Sequence, residues 1–311
     1  MKIIFAMFLL CFSVFSHAVS LNKIVVFGDS LSDSGNLYEY MKHQLPISPP
    51  YYQGRFSNGP LWVDLLADYY YPGQGKAHML NYAFGGAGVS EEEDDGDDEE
   101  ALFTLRREVD SYLLAHLDKA DKDSLYVVWM GSNNYLADPD DADRVVETVT
   151  TGIQHSLEQL AQKGAKHFLI VNLPNLGRAP AATDFDAVES LTYASNHHNE
   201  KLADVVSDIQ LRYPDVQWLL FDVNLVFREL WEHPERNGLH NVTDTCYEEM
   251  INSTPSPTFI LKMASSVKPR VSGDACTGYL FFDPVHPTEK AHSLMAEMIK
   301  SVMSDADIEF H

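Results

Sequence analysis

Positive charge is what this chain has least of. It carries 22 Lys and Arg against 46 Asp and Glu, giving a formal net charge of −24 and a pI near 4.7. Such a surface repels phosphate backbones, which excludes nucleic-acid binding, and it weakens attraction to anionic bilayers. Cysteine is also scarce, at three in 311 residues. Long apolar runs are missing beyond the N-terminus, so no later stretch can cross a bilayer. Internal repeats are absent. What the chain does have is 45% hydrophobic residues and enough length to bury a core without help from metals, which excludes a disordered chain.

The N-terminus reads differently from the rest. Lys2 precedes a nearly unbroken apolar run over residues 3–15, and Ser16-His17-Ala18 places small residues where a signal peptidase reads. Residues 1–18 are therefore expected to be a secretory signal cleaved after Ala18, the run being short for a membrane anchor. Leu10 before Cys11 is not the small residue a lipoprotein signal needs. Loss of Cys11 leaves Cys246 and Cys276, an even count that predicts a disulfide in an exported chain, with two buried thiols as the alternative. The bridge would close a loop of about 30 residues, worth roughly 3–4 kcal/mol.

Short β-branched or aromatic runs at residues 23–28, 80–84, 125–130, 167–172 and 216–222 read as buried strands. Helical spacing lies between them: Leu61 to Tyr69, Val145 to Leu160, and Leu191 to Leu211, with Gly164 placed to end a helix. This alternation predicts a parallel sheet with helices on both faces and ligand sites beyond the carboxyl ends of the strands. Residues 19–311 are expected to form one domain, interrupted by an irregular excursion over 232–278 that holds both cysteines. Residues 91–100 include nine acidic residues and read as a solvated loop; a calcium site is a weaker match, because the run lacks spaced ligands.

Four segments fall just after predicted strands or near the C-terminus. Gly28-Asp29-Ser30-Leu31-Ser32 follows the first strand. It puts Ser30 among backbone N–H dipoles that favour developing negative charge, or it is simply a helix cap. Asp283-Pro284-Val285-His286-Pro287 is a stiff turn in which the carboxylate can reach one imidazole nitrogen and leave the other for Ser30. As a metal pair it lacks a second cluster of ligands. Phe84-Gly85-Gly86-Ala87-Gly88 allows a backbone N–H to approach a substrate oxygen closely; its glycine spacing is wrong for a dinucleotide. Gly131-Ser132-Asn133-Asn134 offers an Asn amide, or an ordinary strand-to-helix turn. Together they supply a nucleophile, a base, an orienting acid and oxyanion donors, with no metal and no cofactor expected. Ser32 breaks the Gly-x-Ser-x-Gly pattern around Ser30 and argues against an α/β-hydrolase elbow.

These residues resemble the GDSL, or SGNH, hydrolase family. Gly28-Asp29-Ser30-Leu31, Gly86, Asn133, and Asp283 with His286 match its blocks in order, between residues 24 and 292. Tyr52-Gln53-Gly54-Arg55-Phe56-Ser57-Asn58-Gly59, Asn81 to Ala87 and Leu173-Pro174-Asn175-Leu176-Gly177 are similar to its secreted lipolytic branch of phospholipases A, lysophospholipases and glycerophospholipid:cholesterol acyltransferases. The resemblance implies a flavodoxin-like three-layer α/β/α fold on a mostly parallel five-stranded sheet. It implies catalysis by Ser30, His286 and Asp283, with an oxyanion hole from the Ser30 and Gly86 N–H groups and the Asn133 amide. It implies a lipid ester as substrate, (lyso)phospholipid first, met by transient contact with a membrane surface. Acyl transfer to an alcohol such as a sterol would accompany hydrolysis, and a carbohydrate or aryl ester is the alternative. Apolar Phe259, Ile260, Leu261 and Met263 are expected either to border the acyl pocket or to pack on the core. Asn134 departs from the family, which usually has aspartate there, so the network around Asn133 is expected to differ.

Overall fold

The computed structural model describes residues 19–90, 103–137, 141–247 and 276–311. The expected signal segment, the acidic run 91–100 and the apolar group 259–263 lie outside the described residues.

Among the described residues there are nine strands: β1 (Val19–Leu21), β2 (Lys23–Gly28), β3 (Met79–Asn81), β4 (Ser124–Trp129), β5 (His167–Val171), β6 (Gln217–Phe221), β7 (Asn241–Thr245), β8 (Tyr279–Phe281) and β9 (Ile308–Phe310). The helices are α1 (Asn36–Tyr40), α2 (Trp62–Tyr70), α3 (Gly75–His78), α4 (Leu105–Ala115), α5 (Ser132–Leu136), α6 (Ala142–Gln162), α7 (Pro180–Asp184), α8 (Val188–Arg212), α9 (Val223–Glu232) and α10 (Glu289–Asp305).

The central sheet runs β3-β2-β4-β5-β6, and every pairing in it is parallel. Its inner strands are buried on both faces, which is why β2 and β4 read as unbroken apolar runs rather than alternating ones. From β2 the chain steps outward to β3, then returns past β2 to β4 and continues in that direction to β6. Right-handed crossovers therefore put α2 on one face and α4, α6 and α8 on the other. The packing agrees: α6 lies against α8 and α4, whereas α2 lies against α10, which also meets α9. The result is a three-layer α/β/α fold of flavodoxin type.

Helix α6 shows how local sequence sets these elements. Val146, Val149, Ile153, Leu157 and Leu160 form its buried stripe, and the Asp141 carboxylate accepts the Arg144 N–H at 3.0 Å to cap the start. It ends at Lys163, followed by Gly164 with φ +121°, where a Cβ would sit 2.8 Å from the Ala120 carbonyl oxygen.

Two features differ from the sequence expectation. The strand expected over 80–84 pairs in the sheet only at Met79–Asn81; beyond it Tyr82 and Phe84 still donate to the Val26 and Gly28 carbonyls before a turn in which Ala87 donates to Phe84. The excursion 232–278 is not wholly irregular, because β7 pairs in parallel with β8. Cys246 and Cys276 form a disulfide beside this ribbon, and the Cys246 and Tyr247 N–H groups donate to the Phe281 and Phe282 carbonyls.

Candidate active site

The order of strands reverses between β2 and β4, and at such a switch point a crevice opens beyond the carboxyl ends. Ser30 follows β2 there and Asn133 follows β4. Gly28 ends β2 where a Cβ would meet the Trp129 carbonyl at 2.8 Å, so only glycine allows this approach to β4. The chain then makes a tight turn. The Ser32 and Asp33 N–H groups both donate to the Asp29 carbonyl at 3.0 Å, and the Leu31 N–H donates to Asp29 Oδ1 at 2.9 Å. Ser30 rides on this turn, 3% exposed.

On the other side of the crevice, the Asp283–Pro287 turn is wound around its own carboxylate. Asp283 Oδ1 accepts the Val285 and His286 N–H groups at 3.0 and 2.7 Å. Asp283 Oδ2 accepts His286 Nδ1–H at 2.6 Å, which fixes the tautomer and directs Nε2 to Ser30 Oγ at 2.7 Å. Both His286 and Asp283 are fully buried. Tyr51 donates its hydroxyl to the same Asp283 Oδ2 at 2.7 Å.

Gly86 has φ +83° in the turn after Phe84. Its neighbours are held on both sides: Gly85 N–H donates to Asp33 Oδ2 at 2.8 Å, and the Ala87 carbonyl accepts Asn133 Nδ2 at 2.7 Å. Asn133 Nδ2 carries two hydrogens, and Ala87 takes one. Asn134 pairs with both backbone groups of Val89, accepting its N–H at 3.0 Å and donating to its carbonyl at 2.8 Å. An ionised aspartate has no hydrogen for the second bond, so the departure at position 134 adds a tie between α5 and the glycine loop.

The structure thus joins Ser30, His286 and Asp283 in one hydrogen-bonded chain and ties Asn133 to the Gly86 segment. Ser30, Asn133 and His286 line one cavity, whose wall includes neither Gly86 nor Ala87. The apolar part of that wall includes Leu136, Leu176, Phe227, Trp231, Phe281 and Val285. Sequence reasoning did not single out Tyr51, Asp33 or Glu108. Glu108 Oε2 accepts the Gly28 N–H at 2.9 Å. Burial pushes Asp29 and Asp33 up to about 6, and pushes Glu108 well above the usual carboxylate range. The buried imidazoles of His198 and His292 are pushed down to about 3 by the same cause, so they stay neutral. Among the described residues no group of three His, Cys, Asp or Glu is arranged to hold a metal, and no helix is long and apolar enough to cross a membrane.

Residues 24–299 match the family of GDSL-like lipases and acylhydrolases. The chain is similar to a phosphatidylcholine-sterol acyltransferase of Aeromonas hydrophila, at 30% identity over 89% of this chain and 88% of that protein. It is also similar to a thermolabile hemolysin of Vibrio parahaemolyticus, at 29% identity, where the match covers 93% of this chain and 66% of the relative. A carbohydrate acetylesterase of Sinorhizobium meliloti shares the fold, with a TM-score of 0.51 at 14% identity over 92% of this chain and 99% of that one. The ordered motifs, the parallel five-stranded sheet and the family match agree, and the chain belongs to the GDSL-like lipase and acylhydrolase family, whose members are ester hydrolases.

Proposed function

We propose that this chain is an exported lipolytic serine esterase that cleaves fatty-acyl esters of phospholipids or lysophospholipids through an acyl-enzyme on Ser30. The observation that carries the reading is the 2.7 Å contact between His286 Nε2 and Ser30 Oγ, backed by Asp283 on the other ring nitrogen. Ser30 Oγ attacks the ester carbonyl while its proton passes to His286 Nε2. The carbonyl electron pair moves onto oxygen, which lies among the Ser30 and Gly86 N–H groups and the free hydrogen of Asn133 Nδ2. That pair returns, the bond to the alcohol breaks, and the leaving oxygen takes the proton from His286. Water then attacks the acyl-enzyme by the same steps, its proton passing through His286, and the fatty acid leaves. An alcohol such as a sterol in place of that water gives acyl transfer.

The lipid reading is supported by the apolar cavity wall beside Ser30 and by the similarity to an acyltransferase named for phosphatidylcholine and sterol. The net charge of −24 favours zwitterionic over anionic headgroups. Export rests on the apolar segment of residues 3–15 and the small residues that follow it.

The test is product analysis on mixed lipids with and without cholesterol, set beside an acetylated sugar and an aryl acetate. Release of fatty acid from lysophosphatidylcholine, abolished in a folded Ser30→Ala variant, is expected. Turnover of the acetyl esters alone would replace the lipid reading with a carbohydrate or aryl esterase.

A further inference from the structure

Asp283 carries four named donors. Two are backbone N–H groups of its own turn, one is His286 Nδ1, and the fourth is the phenol of Tyr51, which arrives from a loop 232 positions away in the chain. Tyr51 is itself 1% exposed, and its ring packs edge-on against Phe282 at 5.0 Å and Phe56 at 5.7 Å. Phe56 in turn lies 5.0 Å from the His286 ring. The hydroxyl is therefore delivered to the carboxylate by a packed aromatic group, not by a mobile surface side chain.

The placement has a definite chemical effect. Oδ2 is the oxygen that accepts from His286 Nδ1, and the Tyr51 hydroxyl shares it at 2.7 Å. A donor to a carboxylate oxygen draws off electron density and lowers its basicity, so less charge is offered to an imidazolium on the same oxygen. The same bond removes rotational freedom from the carboxylate, which fixes the plane of the imidazole. We propose that Tyr51 is a positioning residue that completes a Tyr51–Asp283–His286–Ser30 relay, holding the Asp283 carboxylate in the ring plane and keeping His286 unprotonated to lower pH. This rests on the role of His286 as base proposed above.

Other groups bear on the same imidazole: Asp29 from the nucleophile turn and His292 from α10 both act on it through space, and Ser30 and Asp283 touch it directly. Tyr51→Phe removes the hydroxyl and its bond to Asp283 Oδ2 while retaining the ring that packs against Phe56 and Phe282.

The experiment compares wild type and Tyr51→Phe on p-nitrophenyl butyrate from pH 5 to 9, with thermal midpoints recorded. The expected result is KM within about twofold, kcat lower by roughly tenfold from loss of one hydrogen bond to a charged group, and an acid limb of kcat/KM moved upward by about half a pH unit or more. Superimposable profiles would overturn the proposal. A lower kcat with an unmoved limb would overturn it too, because a distorted site loses rate without gaining basicity. Titration of His286 by NMR in both proteins reads the same shift without turnover. If wild type leaves the ester untouched, the esterase reading fails while this titration still decides the role of Tyr51. Should the variant not fold, the wild-type Tyr51 ring carbon bonded to oxygen, assigned through its contacts with Phe282, must titrate together with His286. A flat Tyr51 signal would reject the relay.

Discussion

Asp33 Oδ2 lies 2.8 Å from the Gly85 N–H, and that bond joins the turn carrying Ser30 to the turn carrying Gly86. The same carboxylate accepts the N–H groups of Gly35, Asn36 and Leu37. Asn36 and Asn81 extend the junction: Asn36 Nδ2 donates to the Asn81 and Ala83 carbonyls, and Asn81 Nδ2 donates to the Ser32 carbonyl. Asp33→Asn replaces one acceptor oxygen with a donor facing N–H groups. We expect kcat to fall by about 100-fold with little change in KM, since misplacing Gly86, the proposed oxyanion donor, by about 1 Å would have that effect. Steady-state kinetics at matched folded fraction check it, and a kcat within threefold of wild type, at most, would remove Asp33 from the positioning of Gly86.

Asn133 and Asn134 sit side by side and are expected to fail differently. Asn133→Ala removes an amide hydrogen from the cavity and should cost on the order of 100-fold or more in kcat, with a near-normal unfolding midpoint. Asn134→Asp keeps the bond from the Val89 N–H but sets a carboxylate oxygen against the Val89 carbonyl. It should cost about 1–3 kcal/mol of stability and a smaller share of rate. Urea unfolding and kcat measured on both variants separate the two; similar rate losses in the pair would mean that neither assignment is right.

Trp231 stands at the apolar wall, stacked under the Arg178 guanidinium at 5.3 Å and near Phe227 at 5.5 Å. Trp231→Ala opens that wall, and each methylene newly buried is worth about 0.8 kcal/mol. The ratio of kcat/KM for p-nitrophenyl dodecanoate over butyrate should rise by roughly fivefold or more. A ratio equal to that of wild type would show that acyl chains do not lie along α9.

The buried carboxyls Asp29, Asp33 and Glu108 make stability depend on pH with a definite sign. A carboxyl with a higher pKa folded than unfolded holds more protons in the native state, so stability is greatest at low pH and declines as pH rises between the two values. For Asp29 and Asp33 that window runs from 3.8 to about 6, and for Glu108 it begins at 4.5 and extends higher. Repulsion within a net charge of −24 acts in the same direction. The chain should therefore unfold at a higher temperature at pH 5 than at pH 7.5, and Glu108→Gln should narrow the difference. A midpoint that rises from pH 5 to 7.5 in wild type would contradict the assignment.

Much of this architecture was readable because a parallel sheet buries both faces of its inner strands, so β2, β4 and β5 appear as continuous apolar runs, and the edge strand β6 is marked by Trp218 to Phe221. The helices α6 and α8 appeared for a related reason, one greasy stripe each. Helix α10 was harder to see, since its inner face is Ala291, His292, Met295, Ala296, Ile299 and Met303, a stripe diluted by small and polar residues. Strand β7 has two exposed residues among its five and no apolar run. At the site, Ser30, Asp283 and His286 stood out because their neighbours are unusual. Tyr51 is one of 15 tyrosines and gains its meaning from a partner 232 positions away. Asp33 looked like one more polar residue in a turn, because a carboxylate satisfied by four backbone amides leaves no mark on sequence spacing.

The register that pairs Gly28 with Trp129 acts as the ruler of the crevice. Ser30 is two residues past one partner and Asn133 four past the other, so their separation is set inside the sheet, where a slip of one residue would shift a strand by about 3.3 Å and turn every side chain over. Anyone redesigning this enzyme for another ester can trade residues along α9 and in the 174–179 segment and leave that ruler untouched. Insertions between Gly28 and Ser30, or between Trp129 and Asn133, have no such licence.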